Sequence, residues 1–230
     1  MTNPSRKTFK ATGTWYEDAD TYWKTVPSSV DGMLGGLEVV HDPDVRDSAQ
    51  FLAKLLTAHG LSALDYACDC GAGIGRVTKH FLLPHFATVD MVEQNGAFLD
   101  AAAAGYLKAE KDEGRVGEML AVGLQDFMPA KGRYNLVWCQ WVLSHLTDED
   151  LISFFDRCVQ GLAPGGVVCV KENVAGSGYV VDSEDSSVTR SAAVFEELFR
   201  KAGLTVVEKQ TQTGFPAGLF QVEMWALQPK

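Results

Sequence analysis

Three glycines in the run Leu64-Asp65-Tyr66-Ala67-Cys68-Asp69-Cys70-Gly71-Ala72-Gly73-Ile74-Gly75-Arg76 fall at the spacing G-x-G-x-G. That spacing is wrong for a dinucleotide fingerprint, whose third glycine comes one place later to pack a helix on the strand; Arg76 occupies that place. It is wrong for a phosphate loop too, because no Gly-Lys-Ser/Thr follows. The residues predict an apolar strand ending in Asp69, a glycine loop, and a helix over Arg76-Val77-Thr78-Lys79-His80-Phe81-Leu82-Leu83. Missing side chains at Gly71 and Gly73 let backbone amides approach a ligand, and the start of the helix supplies donors for a carboxylate. The chemistry this suits is the holding of an amino-acid-like cofactor.

A second acidic residue supports the same use. Ala87-Thr88-Val89-Asp90-Met91-Val92-Glu93 reads as the next strand, and Glu93 lies 22 positions after Gly71, close to where nucleotide-binding α/β folds set a carboxylate on ribose hydroxyls. Asp90 is read instead as facing the sheet surface or a neighbouring loop.

The remaining elements must hold these groups in place. Phe98 to Lys108 is rich in helix formers, Glu118 to Gly123 is a short strand, and Tyr134-Asn135-Leu136-Val137-Trp138-Cys139-Gln140-Trp141 a longer buried one. Thr147 caps a helix running through Leu151 to Val159. Leu162-Ala163-Pro164-Gly165-Gly166 stops it, and Val167 to Asn173 is the fifth strand. A helix from Ala192 to Ala202 ends at Gly203, and two alternating strands flank the stretch Gly214 to Gly218. Alternation of strand and helix predicts a doubly wound α/β fold, and the last pair predicts an antiparallel C-terminal hairpin at the edge of a mostly parallel sheet.

The composition bounds the partners. The chain has 230 residues, 46% of them hydrophobic, enough for one well-buried domain, 41–230, behind an N-terminal extension, 1–40. Thirty acidic against twenty basic side chains give a net charge of −10, which argues against binding nucleic-acid phosphates or anionic membrane and welcomes a cationic substrate. No apolar run reaches the ~18 residues of a span, and no secretory profile opens the chain; a soluble protein of the cytoplasm or nucleus, acting as a monomer, is expected. Cys68, Cys70, Cys139, Cys158 and Cys169 are odd in number, with several in predicted central strands, which suits buried thiols in a reducing compartment. Cys68 and Cys70 have no second pair at zinc spacing, so no metal site is expected.

The glycine loop, with Asp69 as its acidic residue, resembles the first motif of the class I S-adenosylmethionine-dependent methyltransferases. Leu162 to Gly166 is similar to the L-x-P-G-G stretch of that class, and Gly123-Leu124-Gln125-Asp126-Phe127 sits where it binds the adenine ring. The resemblance implies a Rossmann-like seven-stranded sheet.

A longer set of words is more specific. Tyr22-Trp23-Lys24, Val30-Asp31-Gly32-Met33-Leu34-Gly35-Gly36, Gln140-Trp141-Val142-Leu143-Ser144-His145-Leu146-Thr147-Asp148 and Asp185-Ser186-Ser187-Val188, together with the glycine loop, resemble the eukaryotic protein α-N-terminal methyltransferases. That family methylates the free α-amine of proteins whose mature N-terminus reads X-Pro-Lys or X-Pro-Arg. The resemblance implies that Gly71, Gly73, Arg76, Glu93, Leu124, Gln125 and Gln140, with Asp69, bind S-adenosylmethionine, which leaves as S-adenosylhomocysteine. It implies a substrate site of Trp23, Leu34, Trp141, Asp182 and Ser187, with Asn173 on the amine and Asp185 and His145 handling its proton. Residues 1–40 become a helical lid, in which Val30 to Gly36 is a loop. Trp15 and Tyr16 either join that site or merely anchor the first helix.

Each residue also has an ordinary reading. His145 can cap the preceding strand, Asp185-Ser186-Ser187 can be a polar turn, and Trp141 can belong to the core as Trp138 does. Two other classes share the pattern: a small-molecule amine or metabolite methyltransferase, and a non-catalytic cofactor-binding module. Departures from the family are Glu93 where relatives often carry Asp, Phe220 where some carry Tyr, and a start, Met1-Thr2-Asn3-Pro4, that does not match X-Pro-Lys.

Overall fold

The computed structural model describes residues 9–61 and 63–230, so the first eight residues of the predicted lid, including Met1 to Pro4, lie outside the described residues. The chain opens with α1 (Trp15–Trp23), a single turn α2 (Val30–Met33) and the long α3 (His41–Ala58). The predicted loop at Val30 to Gly36 is therefore partly helical: Ser29 caps the turn by accepting from Gly32 N, and only Gly35 and Gly36, both at positive φ, form a bend.

The sheet begins with β1 (Tyr66–Cys70), β2 (Thr88–Glu93), β3 (Val116–Ala121), β4 (Tyr134–Gln140) and β5 (Leu162–Val174). Between them run α4 (Gly96–Ala101), α5 (Lys108–Asp112) and α6 (Asp148–Gly161), and after β5 come β6 (Tyr179–Asp182), β7 (Ser187–Arg190), α7 (Ala192–Lys201), β8 (Leu204–Thr211) and β9 (Gln221–Pro229). Among the described residues the main sheet has the order β3-β2-β1-β4-β5-β9-β8, with β9 antiparallel to both neighbours and the rest parallel. The predicted helix after the glycine loop forms, with a π-helical turn over Thr78–Leu82.

Strand alternation divides the core into two layers. Cys68, Cys70, Val137, Cys139, Val168 and Val170 face α6 and α7, whereas Ala67, Leu136, Trp138, Val167 and Cys169 face α3 and the π turn. Asp90 joins neither site: Arg133, Tyr134 Oη and Glu118 N all donate to it, which makes it a tie between β2, β3 and β4. The β6–β7 hairpin forms a separate two-stranded sheet. Its buried Arg190 donates to Asp148 and to the carbonyls of Leu143 and Leu146, locking the hairpin to the segment after β4. No helix among the described residues is long and apolar enough to cross a membrane.

Candidate active site

At the carboxyl ends of β1, β2 and β4 two clefts meet at a shared wall of Trp23, Met33, Trp141 and His145. This is where open α/β sheets bind ligands.

The first cleft, about 910 Å³ with its mouth included, is bounded by Gly71 to Gly73, Glu93, Leu124, Gln125 and Gln140. Gly71, Gly73 and Gly75 have φ of +72°, +55° and +86°, values that explain the glycines directly. Packing places a further demand on two of them. The space beside Gly71 is filled by Val142, whose Cβ would lie 2.5 Å from an added Cβ, and the space beside Gly73 by Met33 Sδ at 2.4 Å. The loop amides are also engaged: Gly71 N and Ala72 N donate to Val92 O, and Gly73 N to Glu93 Oε2 at 2.9 Å. The glycines thus let the loop pack under α2 and the segment after β4. Asn95 N donates to Glu93 Oε1 at 2.9 Å, so each carboxylate oxygen keeps a further lone pair for hydroxyls. Burial pushes Glu93 above the ordinary carboxylate range despite these amides.

Asp69 is not brought to the cleft. It is buried in the layer under α3, where Thr78 Oγ1 donates to it at 2.6 Å, and burial raises it to about 6. It fastens the helix after the glycine loop to β1. Arg76 does reach the cleft, where its guanidinium lies 5.7 Å from the Trp141 ring and donates to Asp44 at 2.7 Å. Gln140 faces the cleft with its amide spanned between Trp138 Nε1 and Asp44. Arg157 pins the carbonyls of Leu124, Gln125 and Phe127, which sets the far wall.

The second cleft brings together Leu34, Trp141, His145, Asn173, Asp185 and Ser187. Trp141 is no core residue: its φ is +54°, a strained value for a bulky side chain, and it stands between the clefts. The turn is held by Glu172, whose Oε1 accepts from Val142 N and Leu143 N at 2.8 Å each. Burial pushes Glu172 up to about 7. Lys171-Glu172 in an otherwise apolar strand was the signal that could have found this residue from sequence.

His145 is fully engaged. Trp23 Nε1 donates to its Nε2 at 3.0 Å, and its Nδ1 faces Ser186 O at 3.2 Å, so the ring is neutral with the proton on Nδ1. Burial holds its pKa below the ordinary value, against an opposing pull from Asp185. Asp185 Oδ1, by contrast, is buried with no hydrogen-bond partner. Asp182 lies outside the lining of the second cleft, exposed at the end of β6, where it accepts from Glu184 N. Trp15 proves to be an anchor: its Nε1 donates to His145 O at 2.6 Å. Tyr16 does both, bonding Asp150 and Thr147 while lining the first cleft.

These groups fit S-adenosylmethionine: a carboxylate with open lone pairs for a ribose diol, an apolar slot at Leu124 and Phe98 for a ring, and the Arg76 cation for an amino-acid carboxylate.

Known proteins match this chain along most of its length. The chain is 48% identical over 216 residues to the alpha N-terminal protein methyltransferase 1 of Drosophila melanogaster, covering 94% of this chain and 76% of that protein. It is 45% identical over 214 residues to the N-terminal Xaa-Pro-Lys N-methyltransferase 1 of Danio rerio, covering 93% and 95%. A SAM-dependent methyltransferase of Leishmania major superposes with a TM-score of 0.84 at 36% identity over 93% of this chain and 83% of that one. The family model for AdoMet-dependent proline di-methyltransferases matches residues 11–228. Over residues 11–228, then, the chain belongs to the AdoMet-dependent proline di-methyltransferase family.

Proposed function

We propose that this protein methylates the free α-amine of proteins whose N-terminus reads X-Pro-Lys or X-Pro-Arg. S-adenosylmethionine occupies the first cleft and the peptide end enters the second. The observation that carries the reading is the pair of clefts sharing one wall, with the bare, buried Asp185 Oδ1 in the second.

Bound in the first cleft, S-adenosylmethionine supplies a sulfonium-activated methyl group; the protein aligns the partners and manages one proton. An α-amine has a pKa of about 7.7–8.0, against about 10.4 for a lysine side chain, so a weak base is enough to expose its lone pair near neutrality. Asp185 is that base. His145, held neutral by Trp23 and Ser186, stands between the donor and acceptor sides and keeps a second positive charge out of a site that already receives cations. Asn173 offers a carbonyl to an amine N–H. The Trp23 and Trp141 rings enclose the proline, exclude water and accept a cation over their faces. The third-position Lys or Arg lies near the acidic turn of Asp182, Glu184 and Asp185, whose combined charge already raises the Tyr22 hydroxyl, after burial, above its ordinary pKa.

Incubation with S-adenosylmethionine and Ser-Pro-Lys or Ala-Pro-Lys peptides, read by mass spectrometry, tests the assignment. Mass gains of one or more methyls on the free peptides and none on acetylated ones are expected. Methylation of the acetylated peptides, or of free small amines alone, would overturn it.

A further inference from the structure

One turn of α3 carries two buried carboxylates, and each is committed to a different cleft. Asp44 and Asp47 lie three residues apart, on one face of the helix, and each is 1% exposed. Asp44 Oδ2 accepts from Arg76 Nη1 at 2.7 Å, while its Oδ1 accepts from Gln140 Nε2 at 2.8 Å and pairs with the wholly buried Lys171 Nζ at 2.5 Å. Arg76 and Gln140 both line the first cleft. Burial pushes Asp44 up, but Lys171 and Arg76 outweigh it and hold the group below the ordinary carboxylate range, so it is charged.

Asp47 has a different set of partners. Its Oδ2 accepts from Thr213 N at 2.7 Å, Thr213 Oγ1 at 2.8 Å and Gln212 Nε2 at 3.0 Å, and Arg46 closes the other oxygen at 2.9 Å. These bonds strap the β8–β9 connection onto the start of α3, and Gly214, at φ +76°, lies against Pro43 and Arg46. The connection carries Phe215, Leu219 and Phe220, which form one wall of the second cleft. Every partner of both aspartates is a donor, so only an acceptor-only carboxylate satisfies them all; an amide would turn N–H against N–H.

We propose that Asp44 and Asp47 are positioning residues that set the two clefts separately, Asp44 holding Arg76 and Gln140 for the cofactor and Asp47 holding the Phe215 to Phe220 wall for the acceptor. This rests on the assignment of the first cleft to S-adenosylmethionine and the second to the peptide.

Two readouts separate the roles: calorimetry with S-adenosylhomocysteine alone, and the KM of a Ser-Pro-Lys peptide at saturating cofactor, each alongside a thermal melt. Asp47→Asn should raise peptide KM about tenfold more than it lowers kcat, with S-adenosylhomocysteine affinity kept within about twofold. Thr213→Val, which removes one strap bond from the other side, should shift peptide KM the same way to a smaller extent. Asp44→Asn should weaken S-adenosylhomocysteine about tenfold and leave peptide KM within about twofold. If it does not fold, Asp44→Asn with Lys171→Met keeps the local net charge, one carboxylate against two cations becoming none against one, and should show the same split. Variants that move both parameters together, or neither, would overturn the proposal. A wild-type protein inactive on the peptide would instead strike the proposed function; the calorimetry still decides the inference, because equal losses of S-adenosylhomocysteine binding in the Asp44 and Asp47 variants contradict it.

Discussion

Asp185 and His145 occupy one cleft wall with opposite degrees of commitment, and the contrast predicts unequal consequences of removing them. Asp185→Asn should lower kcat by about 10²-fold, the scale of a lost general base, while leaving cofactor affinity intact. Raising the pH from 7 to 9 should return part of that loss, about six- to tenfold, since the α-amine, with a pKa of about 7.7–8.0, then arrives mostly neutral. His145→Asn should cost less in kcat and recover less with pH, because its Nε2 is already occupied by Trp23 and its part is to shape the wall. A pH–rate profile of both variants checks this; wild-type turnover by Asp185→Asn at pH 7 would remove the residue from the proton path. Asp185 and His145 were reached through a resemblance rather than through spacing, because nothing in Asp-Ser-Ser or His-Leu-Thr distinguishes a polar turn from a site. Their difference is visible only where Trp23, 122 residues before His145, closes on the ring.

At the scale of elements, the segment after β4 depends on Glu172 and Gly71 together. Glu172 keeps its proton up to about 7 in the folded protein, against an ordinary value of 4.5. Unfolding therefore releases a proton between those values, and the contribution of this group to stability is complete below 4.5 and lost as the pH rises to about 7. Glu172→Gln has no proton to lose and its carbonyl still accepts from both amides. Its melting temperature should gain on the wild type from pH 5 to pH 8, by up to about 3 kcal/mol in stability; a pH-independent difference would show that burial does not govern this carboxyl. Gly71→Ala acts on the same segment from below. A left-handed residue with a Cβ costs about 1–2 kcal/mol, and Val142 must move as well. Both melting temperature and S-adenosylhomocysteine affinity should fall; full affinity at an unchanged melting temperature would mean the loop tolerates the side chain.

Across the whole molecule, the excess of ten negative charges should make association with a cationic peptide end sensitive to salt. Raising ionic strength from about 0.01 to 0.15 M shortens the screening length from about 30 to 8 Å. The kcat/KM for Ser-Pro-Lys should fall several-fold over that range, while a Ser-Pro-Gln peptide should change little; parallel salt curves would place the selection of the cation elsewhere.

The sequence pattern made most of this architecture legible, because period-two apolar runs, the Thr147 cap and the glycine stops each act locally. Four parts were not, the first of them the long α3, which starts without a side-chain cap. The π turns at Thr78–Leu82 and Ala102–Tyr106 leave no signature in side-chain periodicity. The β6–β7 hairpin, four residues to each strand, is too short to read as strands, and it holds its place through Arg190, a long-range tie. Asp44 and Asp47 look like ordinary acids at a helix start; their meaning lies in Arg76, Gln140 and Thr213, brought near only by the fold.

The insertion of β9 between β5 and β8 also governs how the chain is made. Synthesis runs from the N-terminus, so β5 leaves the ribosome with no partner on its outer edge, and β8 follows with nothing to join, until residues 221–229 emerge and slide between them. Through that interval Val168 and Val170 lie along a bare strand edge, the kind of template on which unfinished chains stick to one another. A chain lacking residues 221–229 therefore presents an open sheet edge prone to association.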